Sequence, residues 1–322
     1  MADMSAYRSF SEIQQGETCE RPVLLLSIAN ASTRYGDTYV KTTLRDGKSE
    51  IKANMFKTSA EKLAELGVVK SSVCDAVLTR TEKGFNLDKL SPAKDISLTK
   101  NDFAKCAPLD LDMMYNEICE LLKSAADDCG GSCKPLSELA LSILEKEKKG
   151  YMFSSASLTM HHNMVGGLLY HSYRMVKAAD ALCTVYTELD RELLLCGAAL
   201  HDIGKMWEYR THDTGDSEYT ANGVLFGHIY MGASLIKSYT EGEDYNMKKI
   251  HQLIHLILSH HGTREWGAVV CPATAEAFVL HYIDNIDAKV YMCNDNYENL
   301  KPGEFTERAP FGLDNRVFRP DK

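Results

Sequence analysis

Between Arg21 and about Leu90, hydrophobic and polar residues alternate in short runs closed by turn residues, a pattern that predicts β-strands. VLLLSIANAS is a first strand. TRYGDTYVKTTLRDG carries a second between turns at Tyr35-Gly36-Asp37 and Asp46-Gly47, and SEIKANMF is a third. EKLAELGV predicts a short helix ending near Gly67, and SSVCDAVLTRTEKGFNLDKL predicts two more strands across Glu82-Lys83-Gly84. After the polar stretch SPAKDISLTKND the period changes. LDLDMMYNEICELLKSAADD and SELALSILEKEKKGYMF space apolar residues three and four apart, which predicts helices, and little strand signal follows up to about Asn294. The tail, ENLKPGEFTERAPFGLDNRVFRPDK, is polar with aromatic-bearing turns and either wraps the surface or frays.

Five strands with a helix between the third and fourth follow the order of an OB-fold barrel. The pattern therefore predicts an N-terminal OB-fold barrel over 1–100, a helical connector over 101–150, an all-α domain over 151–300 and a tail over 301–322. A length of 322 residues suits two modest domains, and 25% charged with 44% hydrophobic residues excludes disordered and low-complexity classes. The N-terminus lacks a basic segment followed by an apolar one, and no window reaches the 18 or so apolar residues of a membrane span. The expectation is a soluble, cytoplasmic chain with no membrane partner. Its ten cysteines, scattered from Cys19 to Cys293, then read as reduced thiols, and the Cys129/Cys133 pair of CGGSC as a loop without a second metal-binding pair. Residues 1–100 carry 15 Lys+Arg against 13 Asp+Glu, net +2, and residues 101–322 carry 21 against 32, net −11. The first part can meet a phosphate backbone; the second needs local positive charge, such as bound metal, to accept an anion.

Chemistry concentrates in the second part, where all 11 histidines fall between His161 and His281. A lone helical histidine is more often structural than a ligand. Here, however, His171, His201-Asp202, His228, His260-His261 and Asp284 follow one another on or at the ends of predicted helices. Imidazole with carboxylate suits Mn, Fe, Co, Ni or Zn, and several helices can aim side chains at one interior point.

The order His171, His201-Asp202, Asp284 resembles the HD superfamily of metal-dependent phosphohydrolases, an all-helical fold. The words HHNMVGGLLYHS, HDIGK, GHIYMG, SHHG and LHYIDNIDAK, in that order, extend the likeness. With the preceding segment YVKTTLRDGKSEIKANMF, residues 20 to 295 resemble the YhaM-type 3′→5′ exoribonucleases. The resemblance implies that His171, His201, Asp202 and Asp284 ligate a first divalent ion. Asp202 would bridge to a second ion held by His228 and His260, and His261 either ligates, contacts substrate or orients its neighbour. Two ions at roughly 3.5–4 Å polarise phosphoryl oxygens and activate a shared water. Mn²⁺ is the favoured ion, with Fe, Co, Ni, Zn or Mg as alternatives.

Lys205, three residues after Asp202, shares its helix face and can reach the scissile phosphate, or else is a solvated lysine. His162 is a substrate-binding or outer-shell candidate beside Gly166-Gly167, and His161 reads as structural. His281 and Asp287 each lie three residues from Asp284 and are candidates to orient it; Asp287 is also an alternative ligand in its place. His212, His251 and His255 read as bystanders. In the barrel, Tyr35, Tyr39 and Phe56 are candidate stacking platforms, with Lys41, Arg45, Lys48 and Lys52 following a nucleic-acid backbone, although strand aromatics are more often core.

Three functions remain in play. The first is a metal-dependent 3′→5′ exoribonuclease acting on single-stranded RNA, or DNA, and releasing nucleoside monophosphates. The second is a phosphohydrolase or phosphodiesterase acting on a small or cyclic nucleotide. The third is a binding module without catalysis, against which the intact ligand set argues.

Overall fold

The first strand closes the N-terminal barrel. In the computed structural model, which describes residues 7–321 except 48, 83, 128–129, 159–161 and 299, β1 spans Thr18–Ser32 and serves two neighbours. Thr18–Leu24 pairs antiparallel with β4 (Val73–Thr81), and Leu24–Ser32 pairs with β2 (Thr38–Arg45). The register shifts between Leu25 and Ser27, a bulge that bends the strand so that one segment can join both edges. β3 (Glu50–Phe56) pairs with β2 and runs parallel to β5 (Gly84–Pro92), which returns to β4; α1 (Ala60–Glu65), capped by Ser59, lies between β3 and β4. The result is a closed five-stranded barrel in the expected OB order. Alternation along β4 turns Cys74, Ala76 and Leu78 inward, onto a core with Val40, Leu44, Phe85 and Leu87.

The outward face of β2 and β3 sets Tyr39 opposite Phe56, Lys41 opposite Asn54 and Thr43 opposite Lys52. The Tyr39 and Phe56 rings stack at 5.4 Å, and the Lys41 ammonium lies 5.8 Å from the Tyr39 ring centre. Tyr35 is exposed on the turn between β1 and β2. Arg45 corrects the expectation of a backbone-tracking cation: it is buried and its guanidinium is paired with Glu50 at 2.6 Å. Lys48, Cys129 and His161 lie outside the described residues.

The chain divides into two compact units, Met1–Lys105 and Cys106–Lys322. The second is built from α2 (Leu111–Ser124), α3 (Leu136–Lys146), α4 (Lys148–Phe153), α5 (Gly167–Cys183), α6 (Arg191–Leu200), α7 (Lys205–Glu208), α8 (Ala221–Ser238), α9 (Met247–Ser259) and α10 (Ala275–Tyr297). Every residue of α6 from Glu192 to Leu200 is buried, as befits a helix apolar on all sides. The stretch expected as a connector is no separate piece. Ile118 and Leu122 of α2 and Leu139 and Ile143 of α3 join Leu194, Leu253, Leu256 and Leu280 in one core, because amphipathic helices must bury their apolar stripes.

Two further details differ from the pattern reading. A small hairpin, β6 (Tyr209–Thr211) and β7 (Ser217–Tyr219), stands between α7 and α8; three-residue strands are too short to show a period. The tail wraps rather than frays: Phe305 pairs with Phe318, Val317 is buried, and the Arg319 guanidinium donates to the Tyr297 and Leu300 carbonyls at 2.7 and 2.5 Å. Among the described residues no helix is long and apolar enough to cross a membrane. Ile118→Ala should destabilise the helical unit by about 2–5 kcal/mol. An unchanged thermal midpoint for that unit would separate α2 from its core.

Candidate metal centre

Two helices end at the same place. His201 caps the C-terminus of the buried α6 and His260 caps that of α9, so the partial negative ends of both helices face one point, which favours a cation. Both rings use the same local device: His201 Nδ1 donates to the Ala198 carbonyl at 3.0 Å, and His260 Nδ1 to the Ile257 carbonyl at 2.7 Å. His171, in the second turn of α5, has Nδ1 2.7 Å from Asp287 Oδ2. His228, on α8, has Nδ1 2.8 Å from Glu208 Oε2. With every Nδ1 proton committed to an oxygen, the four Nε2 lone pairs are left for the interior.

Asp202 stands among them with its two oxygens dividing the rings. Oδ2 lies 3.6 and 3.3 Å from Nε2 of His171 and His201, and Oδ1 lies 3.5 and 3.6 Å from Nε2 of His228 and His260. Asp284, from α10, brings Oδ1 to 3.3 Å from His171 Nε2. His261 is close to the second pair, its ring centre 4.4 Å from that of His260 and 5.2 Å from that of His228.

These residues fit a metal. Asp202 Oδ1, His228 Nε2 and His260 Nε2 are buried with no hydrogen-bond partner among the described residues, although buried polar atoms rarely stay unsatisfied. The Nε2 atoms of His171 and His201 are 3.1 Å apart. Two imidazole nitrogens bound to one ion at about 2.1 Å stand at a comparable distance.

The charge states agree. Burial works against ionisation of Asp202, but the Lys205 ammonium and His201 outweigh it and hold its carboxyl well below the usual carboxylate range. Asp284 is likewise held low against burial, by His171 and then His201. His171 is the exception: burial opposes its charged form, but its hydrogen bonds to Asp284 and Asp287 raise it to about 10, so without a cation its Nε2 holds a proton that a bound metal would displace. Burial lowers His260, and burial with His260 and His228 nearby takes His261 down to about 3, so both offer neutral nitrogens.

Comparison with known proteins bears on what such a cluster is. Residues 168–289 match the HD domain family, a span containing every candidate ligand. The chain is 31% identical over 306 residues to the 3′-5′ exoribonuclease YhaM of Bacillus subtilis, covering 94% of this chain and 95% of the relative. It is 31% identical to the YhaM of a Geobacillus species, covering 94% and 92%, and 29% identical to that of Listeria innocua, covering 95% and 96%. The chain belongs to the YhaM family of exoribonucleases. No solved structure matches it.

Other candidates take different places in this YhaM-family chain. Asp287 does not orient Asp284: its Oδ2 accepts from His171 and lies 2.7 Å from His162 Nε2, and Arg174 pairs with its Oδ1 at 2.6 Å. His162 is buried, and burial takes it down to about 4 against the pull of Asp287. His281 also passes Asp284 by, its Nδ1 donating to the His260 carbonyl at 2.8 Å. Lys205 is buried, with Nζ 2.7 Å from Asp202 Oδ2, so it is not a solvated surface lysine. His255 accepts from the Ala273 amide at 3.1 Å, and His212 lies on the hairpin between β6 and β7.

Sequence reasoning missed Glu208 and Arg174. Glu208 is the last residue of the short α7 and His228 lies on α8, so no helical spacing ties them; it is the close approach of backbones that brings them together. A Cβ on Gly204 would stand 2.0 Å from the His228 carbonyl oxygen, so the HDIGK turn accepts only glycine there. Gly227, at φ 69° and ψ 158°, takes a conformation reserved for glycine and breaks α8 just before His228.

Two outcomes follow. Asp287→Asn should weaken metal affinity about 10–100-fold by loosening His171, read by metal titration. Gly204→Ala should displace His228 and lower the metal bound per chain while His171→Ala in the same background adds a further loss. Unchanged metal content in Gly204→Ala would separate His228 from the site.

Proposed function

We propose that the protein is a metal-dependent 3′→5′ exoribonuclease of the cytoplasm that hydrolyses phosphodiester bonds of single-stranded RNA and releases nucleoside monophosphates. The observation that carries this reading is a metal-ready His/Asp cluster in a chain whose likeness to proteins named 3′-5′ exoribonucleases runs through both units. That span favours it over a small-nucleotide or cyclic-nucleotide phosphohydrolase, for which a barrel is no requirement.

In this reading His171, His201, Asp202 and Asp284 hold one divalent ion, and His228 and His260 hold a second, with Asp202 shared and His261 beside the second pair. Mn²⁺ is the ion we favour among the Mn, Fe, Co, Ni and Zn that such a mixed imidazole and carboxylate set suits. Such a pair of ions polarises the phosphoryl group, lowers the pKa of a bound water and stabilises the leaving oxygen. The chain's own residues do the rest. Asp287 and Glu208 lock the rings of His171 and His228. Lys205 holds Asp202 and also lines a cavity of about 660 Å³ beside Asp284, where its ammonium can meet charge on the phosphate. In the barrel, Tyr39 and Phe56 offer stacking faces, and Lys41 and Lys52 offer positive charge, to single-stranded bases and backbone.

With Mn²⁺, a 5′-labelled single-stranded RNA should shorten progressively from its 3′ end, with nucleoside monophosphates as products. Intact RNA alongside hydrolysis of a cyclic dinucleotide would overturn the reading, and a DNA strand of the same sequence measures the sugar preference. Asp202→Ala should lose turnover by more than about 10³-fold, since removal of the shared ligand affects both ions. Far-UV circular dichroism of that variant should match wild type.

A further inference from the structure

The cavity beside the metal centre is lined in part by aromatic residues that the proposed chemistry does not use. Its lining brings Lys205, His261 and Asp284 together with Trp266, Phe311 and Leu313. Phe311 and Leu313 come from the tail, at the tip of the hairpin that Arg319 ties to the end of α10. This placement is built in. The Phe305 and Phe318 rings pack at 4.8 Å, the Thr306 amide donates to the Val317 carbonyl at 2.9 Å, and the Leu313 amide donates to the Pro310 carbonyl at 3.1 Å. Trp266 is held by the helical unit: its carbonyl accepts from His261 Nδ1 at 2.8 Å, and its ring centre lies 6.0 Å from that of His281.

Both rings nevertheless face open space, Trp266 at 59% exposure and Phe311 at 85%. A hairpin that needed only to close on itself would not require a phenylalanine at its tip. Two anchored, uncovered aromatic rings on one cavity are suited to a flat, apolar ligand with a π face, and Lys205 and Asp284 line the same cavity. A volume of about 660 Å³ lies within the range of ordinary ligand pockets and exceeds one nucleotide.

We infer that Trp266 and Phe311 form a base-binding subsite for the terminal nucleotide of the substrate, holding it by stacking while its phosphate reaches the metal centre. The inference rests on the nucleic-acid reading above and names how that site holds its ligand. Stacking serves any base, since every base has a π face, so the subsite accepts all four nucleotides. Trp266 and Phe311 bind and position the nucleotide; they take no part in bond cleavage.

The test is equilibrium binding of 5′-AMP and of ribose 5-phosphate to the full-length, Mn²⁺-loaded protein. Wild type should bind 5′-AMP about tenfold or more tightly than ribose 5-phosphate, the difference being the base. Phe311→Ala and Trp266→Ala should each lose about tenfold in 5′-AMP affinity while keeping ribose 5-phosphate affinity and metal content, and Phe311→Tyr should retain binding. Equal binding of the two ligands by wild type, or unaltered 5′-AMP affinity in Phe311→Ala, overturns the subsite. The two readings fail separately. RNA left intact, together with a base preference that Phe311→Ala abolishes, removes the exoribonuclease and keeps the subsite. RNA degraded with no such preference does the reverse.

Discussion

The helical unit is organised around one buried carboxylate. Asp202 is 2% exposed, and an isolated charge at such a position is strongly unfavourable. It is tolerated because each oxygen faces a pair of imidazoles and Lys205 stands against one of them. These partners do not balance the account of charge, however. Asp202 and Asp284 carry two negative charges, Lys205 carries one positive charge, and His260 and His261 are driven towards their neutral forms. A proton held by His171 can complete the balance, and so can a cation, which has the further advantage of satisfying Asp202 Oδ1, His228 Nε2 and His260 Nε2, buried without a hydrogen-bond partner among the described residues. The arrangement is therefore an anionic, nitrogen-rich pocket whose natural complement is a divalent metal.

Making that pocket depends on how tightly the surrounding backbones pack. The C-terminal ends of α6 and α9 bring His201 and His260 in with their dipoles already favourable. The turn after His201 passes so close to α8 that glycine is required at 204, and α8 breaks at Gly227 to present His228. Because α6 is buried on all sides, the turn that follows it has no freedom to move independently of the core. Core and site are in this sense one rigid object, and the geometry of the ligands is inherited from packing far from them.

Legibility from sequence followed the range of each interaction. The barrel was readable because strand alternation and turn residues are local, and so was the order of ligand-bearing words, because each lies on one helix or at its end. His201 and His260 even carry their orienting partner on the same helix, three residues back. Glu208 and Arg174 were not legible, since each meets its histidine or aspartate through tertiary approach. The spacing rule also misassigned Asp287 and His281. Three residues along a helix place them near Asp284, but side-chain direction sends Asp287 to His171 and His281 to the His260 carbonyl. Arg45 failed for a related reason: a cation on a strand looks solvated until its burial against Glu50 is known.

Charge gives the two units different parts in handling a polyanion. Residues 101–322 are net −11, so a nucleic acid approaching that segment meets net repulsion, which a bound cation and Lys205 would offset locally. The first hundred residues are net +2 and present Lys41 and Lys52 beside outward aromatic rings. For the proposed RNA substrate, then, initial capture belongs to the barrel and depends on salt, because it releases counterions from the phosphates. Retention beside the metals depends instead on stacking and on direct ligation, which salt screens far less. An acidic catalytic unit thus disfavours backbone binding overall, so that a cation held by the His/Asp cluster, with Lys205 beside it, would mark out the place where a phosphate is drawn in.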